Sequence, residues 1–326
     1  MSETPTAISY RELSLARTTA DGWEPLVTDL NLDIMSGEIV ALVGESGSGK
    51  SLSALACMGL LPDRVRRSSG SLSIFGTDTS TFSDDDWRSI RGTQVSMVFQ
   101  DPMTSLDPCF TVGSQIMETI RAHRPITKSE ARARTIEIMD RVGIPEPQRR
   151  INAYPHELSG GLRQRVMIAA ALVMEPRLLI ADEPTTALDV TTQASIVGLV
   201  ARLQSEMGMS VLWISHDLGV VASMATRVAV LYAGELVELA PTAQLFKDPK
   251  HPYTMGLIES ARVNDRGEPF GFIGGSVVEP GRWPAGCRFV PRCPRASVEC
   301  DVHPPVGGAG DGRQVRCMHP GALVDQ

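Results

Sequence analysis

The chain has 326 residues, 42% of them hydrophobic and 21% charged, with a formal net charge of −7. That is enough chain to bury one large core or two small ones, and it is far too apolar for a disordered protein. The acidic balance argues against a dedicated nucleic-acid binder, whose footprint is usually a basic face, and the longest purely apolar run, residues 166–174, falls short of the ~18–20 residues a membrane helix needs.

Residues 1–10 have neither a basic start nor an apolar stretch and read as carrying no signal peptide. Residues 7–15 and 26–34 alternate apolar and polar positions as half-buried strands do. Residues 38–44 predict a short apolar strand that runs into a glycine-rich turn, and residues 52–60 a helix rich in small side chains. Further strands are expected at 71–75 and 94–99. From Pro102 to about Ala153 the pattern is helical and polar, clearest at residues 128–142, so residues 101–164 are expected to form a helical insertion. Strand patterns resume at 178–181, 211–215 and 228–232. Short apolar strands alternating with helices predict an α/β fold with a parallel sheet covered on both faces. Beyond about residue 240 Pro and Gly become frequent, and helical periodicity fades after Ala261. The expected division is therefore residues 1–240 and a smaller C-terminal domain, residues 241–326.

Gly44, Glu45, Ser46, Gly47, Ser48, Gly49, Lys50 and Ser51 fit the pattern G-x-x-x-x-G-K-S. They lie between a predicted strand and a predicted helix, the context that separates a phosphate-binding loop from an idle glycine-rich turn. Glycines let backbone N–H groups converge on phosphate oxygens, and the helix N-terminus adds a favourable dipole. Lys50 is expected to reach the β/γ-phosphates, and the Ser51 hydroxyl to take a Mg²⁺ position. The strand 178–181 leads into Asp182 and Glu183 at its carboxyl end, where ligands of parallel sheets bind. Asp182 suits Mg²⁺ ligation through water, and Glu183 suits orienting or deprotonating an attacking water. His216 follows the strand 211–215 and is expected to contact the γ-phosphate. Gln100 follows the strand 94–99 and is expected to contact Mg²⁺ or the attacking water.

Glu157, Leu158, Ser159, Gly160, Gly161, Leu162, Arg163, Gln164 and Arg165 precede a small-residue helix. Together with Gln100, Asp182, Glu183, Ala187, Leu188, Asp189 and His216, in that order, they resemble the nucleotide-binding subunit of ATP-binding cassette (ABC) transporters, over roughly residues 8–240. The resemblance implies a P-loop NTPase: a RecA-like parallel-sheet core with an antiparallel β subdomain and an inserted helical subdomain, here followed by a small cysteine-bearing extension. It also implies hydrolysis of ATP with Mg²⁺ in a head-to-tail dimer, where Ser159, Gly160 and Gly161 close on the γ-phosphate held by the other chain's Lys50 and Asp189 lies at the nucleotide. Two positions depart from the family. Leu162 stands where Gln or Met is usual, a swap of similar packing. Arg17 occupies the place of an adenine-stacking aromatic, with Trp23 as the alternative; a guanidinium can also stack on a planar ring.

Residues 100–108 (Q-D-P-M-T-S-L-D-P) and His251, Pro252, Tyr253 and Thr254 resemble the oligopeptide and dipeptide importer branch, whose features nickel and some other solute importers share. This implies a peripheral ATPase on the cytoplasmic face of the membrane, with two transmembrane permease subunits contacted through residues 101–108. It further implies a second ATPase subunit, a different chain rather than a second copy, an indirect link to an extracytoplasmic solute-binding protein, and no nucleic acid. A soluble ABC ATPase acting on ribosomes or DNA is the rival class; one cassette without a long coiled-coil insertion speaks against it.

Cys57 and Cys109 read as ordinary small apolar residues, whereas Cys287, Cys293, Cys300 and Cys317 crowd the C-terminal end. Disulfides do not suit a reducing cytoplasm. A structural zinc site normally has pairs spaced C-x2–4-C, which are absent here, while a cluster held by four thiolates needs no tight pair. The resemblance to peptide-importer ATPases implies a [4Fe–4S] cluster on these four residues, with Zn²⁺ or no metal as alternatives. Residues 283–326 have few large apolar side chains, so a staple would help them fold.

Overall fold

The computed structural model describes residues 5–20, 22–186, 188–262, 271, 273–308 and 312–321. The chain folds into two compact bodies. One comprises the residues up to Met35, Ile39–Ser80 and the chain from Trp213 on; the other comprises Ser36–Glu38 and Thr81–Leu212.

In the first body the strands Thr6–Thr19 and Gly22–Met35 pair antiparallel, with Tyr10 opposite Leu32 and Ile8 opposite Ile34. Val65–Ile74 pairs with the other edge of Thr6–Thr19, and Thr77–Asp78 closes the four-stranded sheet. Alternate residues Ile8 and Tyr10, and Leu30, Leu32 and Ile34, are buried, as period-two side-chain alternation demands of a sheet with one covered face. The strands extend beyond the segments the alternation predicts, because residues 16–19 and 22–25 keep pairing out to the hairpin end.

The second sheet of this body is built on Ile39–Val43, buried at all five positions and parallel to Arg227–Tyr232. At Ala233 and Gly234 the chain reverses into Glu235–Pro241, a strand absent from the sequence reading. Gln314–Arg316 pairs with that strand, and Val306–Gly308 with Gln314–Arg316. The C-terminal residues thus continue the sheet of the phosphate-loop body. Its core includes the rings of Tyr232, Tyr253 and Phe289, whose centroids lie 4.6, 5.1 and 5.5 Å apart.

In the second body Val95–Val98 runs parallel to Leu178–Asp182, with Val95 opposite Leu178. The expected helical insertion is present as Val112–His123, Lys128–Arg141 and the shorter Pro102–Ser105 and Pro147–Arg150, followed by Gly160–Leu172. The first two start where side chains satisfy otherwise unpaired N–H groups: Thr111 accepts from Ser114, and Thr127 forms a reciprocal capping box with Glu130. Val112, Ile116 and Ile120, one turn apart, are fully buried. Val190–Met207 follows the Asp182 strand. The strand Ser210–Ile214 begins in this body, where the Val211 N–H donates to Glu38 O, and enters the first, where the Ser215 N–H donates to Leu42 O. Among the described residues no helix is long and apolar enough to cross a membrane.

Candidate nucleotide site

Ile39–Val43 delivers residues 44–51 directly into the helix Lys50–Cys57. Gly44, at φ 149°, lies so close to Leu231 that a Cβ there would sit 2.1 Å from its carbonyl oxygen. Gly49 caps the helix in the left-handed region at φ 99°. Only glycine meets both demands. Lys50 is buried, and its Nζ donates to the carbonyls of Gly44 (2.8 Å) and Glu45 (2.9 Å), folding the side chain over the loop. Ser46, Gly47 and Ser51 are exposed. Ser48 is buried, and its Oγ has no hydrogen-bond partner among the described residues. A loop with an orphaned hydroxyl, a buried cation and exposed glycine backbone has the donor set a polyphosphate requires.

Glu45 is held more firmly than its place in the motif suggests. Its N–H donates to the Tyr253 hydroxyl (2.9 Å), and its carboxylate receives both arms of Arg292, at 2.6 and 3.0 Å. Burial raises the Tyr253 phenol well above its ordinary pKa, so the hydroxyl stays protonated. Tyr253 stands in the His-Pro-Tyr element; Arg292 was not singled out in the sequence, where nothing local marks it. His216 is exposed, one residue beyond the buried Ser215.

In the second body, Asp182 is the buried last residue of its strand. Glu183 follows with φ 46°, a left-handed conformation that costs a non-glycine residue on the order of 1 kcal/mol or more. Its Oε2 accepts from Gln100 Nε2 (3.1 Å) and Thr186 Oγ1 (2.9 Å). The sequence order of Gln100 and Glu183 is thereby resolved into a contact, and Thr186 is a supporting donor the sequence reading missed. Backbone strain at a carboxylate fixed by two donors is a mark of a functional position.

Ser159 caps the helix Gly160–Leu172, its Oγ accepting from the Leu162 N–H at 3.4 Å. Ser159 and Gly160 are exposed and Gly161 half-buried, so the helix start faces outward. Asp189 caps Val190–Met207 through the Thr192 N–H (2.9 Å) and hydroxyl (2.7 Å), bonds that hold its carboxyl below the usual range. Ala187 lies outside the described residues. Arg17 is ion-paired with Glu24 across the first hairpin, and Arg66 lies 4.8 Å over the ring of exposed Trp23. Both adenine candidates border one cavity of about 680 Å³, shared with Glu24, Trp283, Arg288 and His303.

The four C-terminal cysteines lie near one another: burial, aided by charge on neighbouring cysteines, raises the pKa of Cys287 and Cys293 and pushes Cys317 up to about 11. The sulfurs of Cys293 and Cys317 accept the backbone N–H two residues on, from Arg295 (3.4 Å) and His319 (3.3 Å). Among the described residues, however, no three His, Cys, Asp or Glu side chains are grouped so as to hold a metal ion. Cys57 is buried against the Tyr10 hydroxyl (2.8 Å). Cys109 is exposed rather than packed, because it sits in the turn after Pro108.

A family profile described as ABC transporter matches residues 27–186, and one described as oligopeptide/dipeptide transporter, C-terminal region, matches residues 237–300. A protein of Brucella abortus (strain 2308), named for peptide import as an ATP-binding protein, is 46% identical over 97% of this chain and 95% of its own. One of Brucella ovis, named likewise, is 48% identical over 90% of each chain. Among solved structures, the dimeric ATP-binding cassette MJ0796 in a post-hydrolysis state bound to ADP and Pi superposes with a TM-score of 0.65 at 30% identity, covering 72% of this chain and 98% of that one. The cbiO1 protein of Clostridium perfringens, part of the ABC transporter complex cbiONQ, gives 0.64 at 27% identity over 74% and 91%. With a phosphate loop, an acid pair at a strand end and a capped signature helix on one cassette, the chain belongs to the ATP-binding subunits of ABC transporters, in the branch marked by the oligopeptide/dipeptide transporter C-terminal region.

Proposed function

We propose that this chain is the ATPase subunit of a peptide importer and drives two transmembrane permease subunits by hydrolysing ATP. The observation that carries the reading is Glu183: a strained carboxylate directly after the buried Asp182, fixed by Gln100 and Thr186. Such a group is suited to take a proton from an attacking water. The Gln100 amide nitrogen is committed to Glu183, which leaves its oxygen for Mg²⁺ alongside Ser51 and Asp182. Bound Mg²⁺ neutralises charge on the phosphates. Lys50 grips the β/γ-phosphates within the loop of residues 44–51, His216 contacts the γ-phosphate, and Arg17 lies against the adenine.

Ser159, Gly160 and Gly161, exposed at a helix start with Asp189 beside them in sequence, serve the nucleotide of a partner cassette. The Ser159 oxygen is used in capping, but its proton remains to donate to a phosphate. We take the partner to be a second, different ATPase subunit, with an extracytoplasmic solute-binding protein delivering the peptide and this chain on the cytoplasmic face. Residues 101–108 are suited to meet a permease: Gln115 braces the loop through the Asp107 N–H and carbonyl (both 3.0 Å), Leu106 anchors it, and Phe99 and Phe110 are exposed on either side of it in sequence.

Residues 1–240 form the cassette in this reading and residues 241–326 the extension, where Cys287, Cys293, Cys300 and Cys317 hold a [4Fe–4S] cluster. The charges of Cys287, Cys293 and Cys300 all reach Cys317, which supports a shared ligand. A single Zn²⁺ would demand sulfurs roughly 3.8 Å apart, from tetrahedral Zn–S bonds near 2.3 Å. Glu183→Gln tests the assignment of the base. It preserves the side-chain shape, so ATP should still bind and trap a closed dimer, while turnover falls by roughly 10²–10⁴-fold. Undiminished hydrolysis would remove Glu183 from that role.

A further inference from the structure

Glu45 puts a carboxylate inside the loop that must receive a polyanion. An uncompensated negative charge there would oppose the triphosphate through a short distance and partly screened surroundings. The charge is compensated from the C-terminal extension. Arg292 is almost fully buried, with a side-chain exposure of 5% against 28% for Glu45. All five of its donors are placed: Nε reaches Gly274 O (2.8 Å), Nη1 reaches Glu45 (2.6 Å) and the Tyr232 hydroxyl (3.5 Å), and Nη2 reaches Glu45 (3.0 Å) and Ile273 O (3.2 Å). Such a guanidinium has nowhere else to go, and its fork fixes the carboxylate in one plane. The Tyr253 hydroxyl takes the Glu45 N–H at 2.9 Å, and the Glu45 carbonyl accepts from Lys50 Nζ at 2.9 Å. Every polar group of Glu45 is thus anchored: Arg292 and Tyr253 reach it from beyond residue 240, and Lys50 and the Ser48 N–H hold its carbonyl from within the phosphate loop.

We propose that Arg292 and Tyr253 are positioning residues for ATP binding: Arg292 neutralises Glu45, and Tyr253 pins its backbone, so the C-terminal extension sets the affinity of the phosphate loop. The two act through Glu45, without touching nucleotide. The proposal rests on the ATPase reading above and adds to it a dependence on residues outside the cassette motifs.

The experiment measures binding of a fluorescent ATP analogue to the purified full chain. Arg292→Ala leaves the Glu45 carboxylate unpaired beside the phosphates and should weaken binding on the order of tenfold, the size expected of one uncompensated charge. Tyr253→Phe, which removes only the hydroxyl, should weaken it less. The decisive variant is the double substitution Glu45→Gln with Arg292→Ala: with the carboxylate gone, most of the lost affinity should return. A merely structural role for Arg292 predicts a double variant at least as weak as Arg292→Ala. Should Arg292→Ala fail to fold, Arg292→Gln, which removes the charge but keeps a polar side chain able to reach the neighbouring carbonyls, carries the same comparison with and without Glu45→Gln. Unchanged affinity in Arg292→Ala, or no recovery in the double variant, overturns the proposal and leaves the ATPase reading standing. Undiminished binding by Lys50→Ala would instead strike at the nucleotide site itself.

Discussion

His251 opens the helix Pro252–Ala261 and is 1% exposed. Its Nδ1 accepts the Tyr253 N–H at 3.0 Å, its backbone N–H donates to Glu238 Oε2 at 2.9 Å, and its ring lies 5.8 Å from that of Phe289. With Nδ1 committed as an acceptor, the neutral ring carries its proton on Nε2. A second proton would have to enter at Nδ1 and break the cap in an apolar setting. Burial accordingly pushes the imidazole down to about 3, from about 6.5 in the unfolded chain. The unfolded state therefore binds the extra proton first. The stability this histidine confers is complete above about pH 6.5 and is lost as pH falls toward the folded value, with a slope approaching 1.4 kcal/mol per pH unit. Between about pH 7 and about pH 5.5 the loss amounts to ~1.2 kcal/mol. The assay is urea unfolding of wild type and His251→Asn at both pH values. Asn keeps a capping acceptor and does not titrate, so the variant carries a fixed offset, and the gap separating the two proteins should close by ~1.2 kcal/mol at the lower pH. Stabilities that fall in parallel would refute the neutral buried imidazole.

Lys50→Ala should abolish binding of a fluorescent ATP analogue, because Nζ supplies the phosphate-facing charge and also ties Gly44 and Glu45 into the loop. Protein purified without oxygen should be brown, with about four irons per chain, and Cys293→Ser should bleach it; a colourless protein containing one zinc would refute the cluster.

What the sequence makes legible is whatever is written locally. Residues 44–51 are consecutive and flanked by a strand and a helix whose patterns are unambiguous, so the loop is legible from local sequence alone. The same holds for the helix Lys128–Arg141, whose Thr127 and Glu130 announce its first turn. The strand Glu235–Pro241 was missed for a physical reason. Glu235 and Glu238 read as solvent-facing, yet they are 3% and 0% exposed. Their burial depends on Arg288 and Arg313, far along the chain, with side chains 3.3 and 3.4 Å away. The order of Gln100 and Glu183 was readable, but their 3.1 Å contact was not. Arg292 carries no motif at all, and its role is defined only by where the fold delivers Glu45. Cys109 shows the converse error: residue type alone suggests burial, but a turn beside Pro108 leaves it exposed.

The C-terminal residues are a tail in sequence and part of the phosphate-loop body in energy. Glu235 meets Arg288 and His303, and Glu238 meets the N–H groups of Lys250 and His251 and the side chain of Arg313. All of these lie beyond residue 240. A buried carboxylate deprived of such partners costs about 3–5 kcal/mol, a large share of the 5–15 kcal/mol that holds a typical domain together. The strand bearing these two acids is therefore a core strand only while the extension is docked. Arg288 also donates to Ala233 O and Thr28 Oγ1 and stacks 3.6 Å from the centroid of Trp283. The next residue in that turn, Gly234, donates its N–H to Ser48 O in the phosphate loop. Arg288 directly follows Cys287, and Arg292 directly precedes Cys293. One short cysteine-bounded segment thus holds the phosphate loop at two points, through the turn beneath Ser48 and through Glu45.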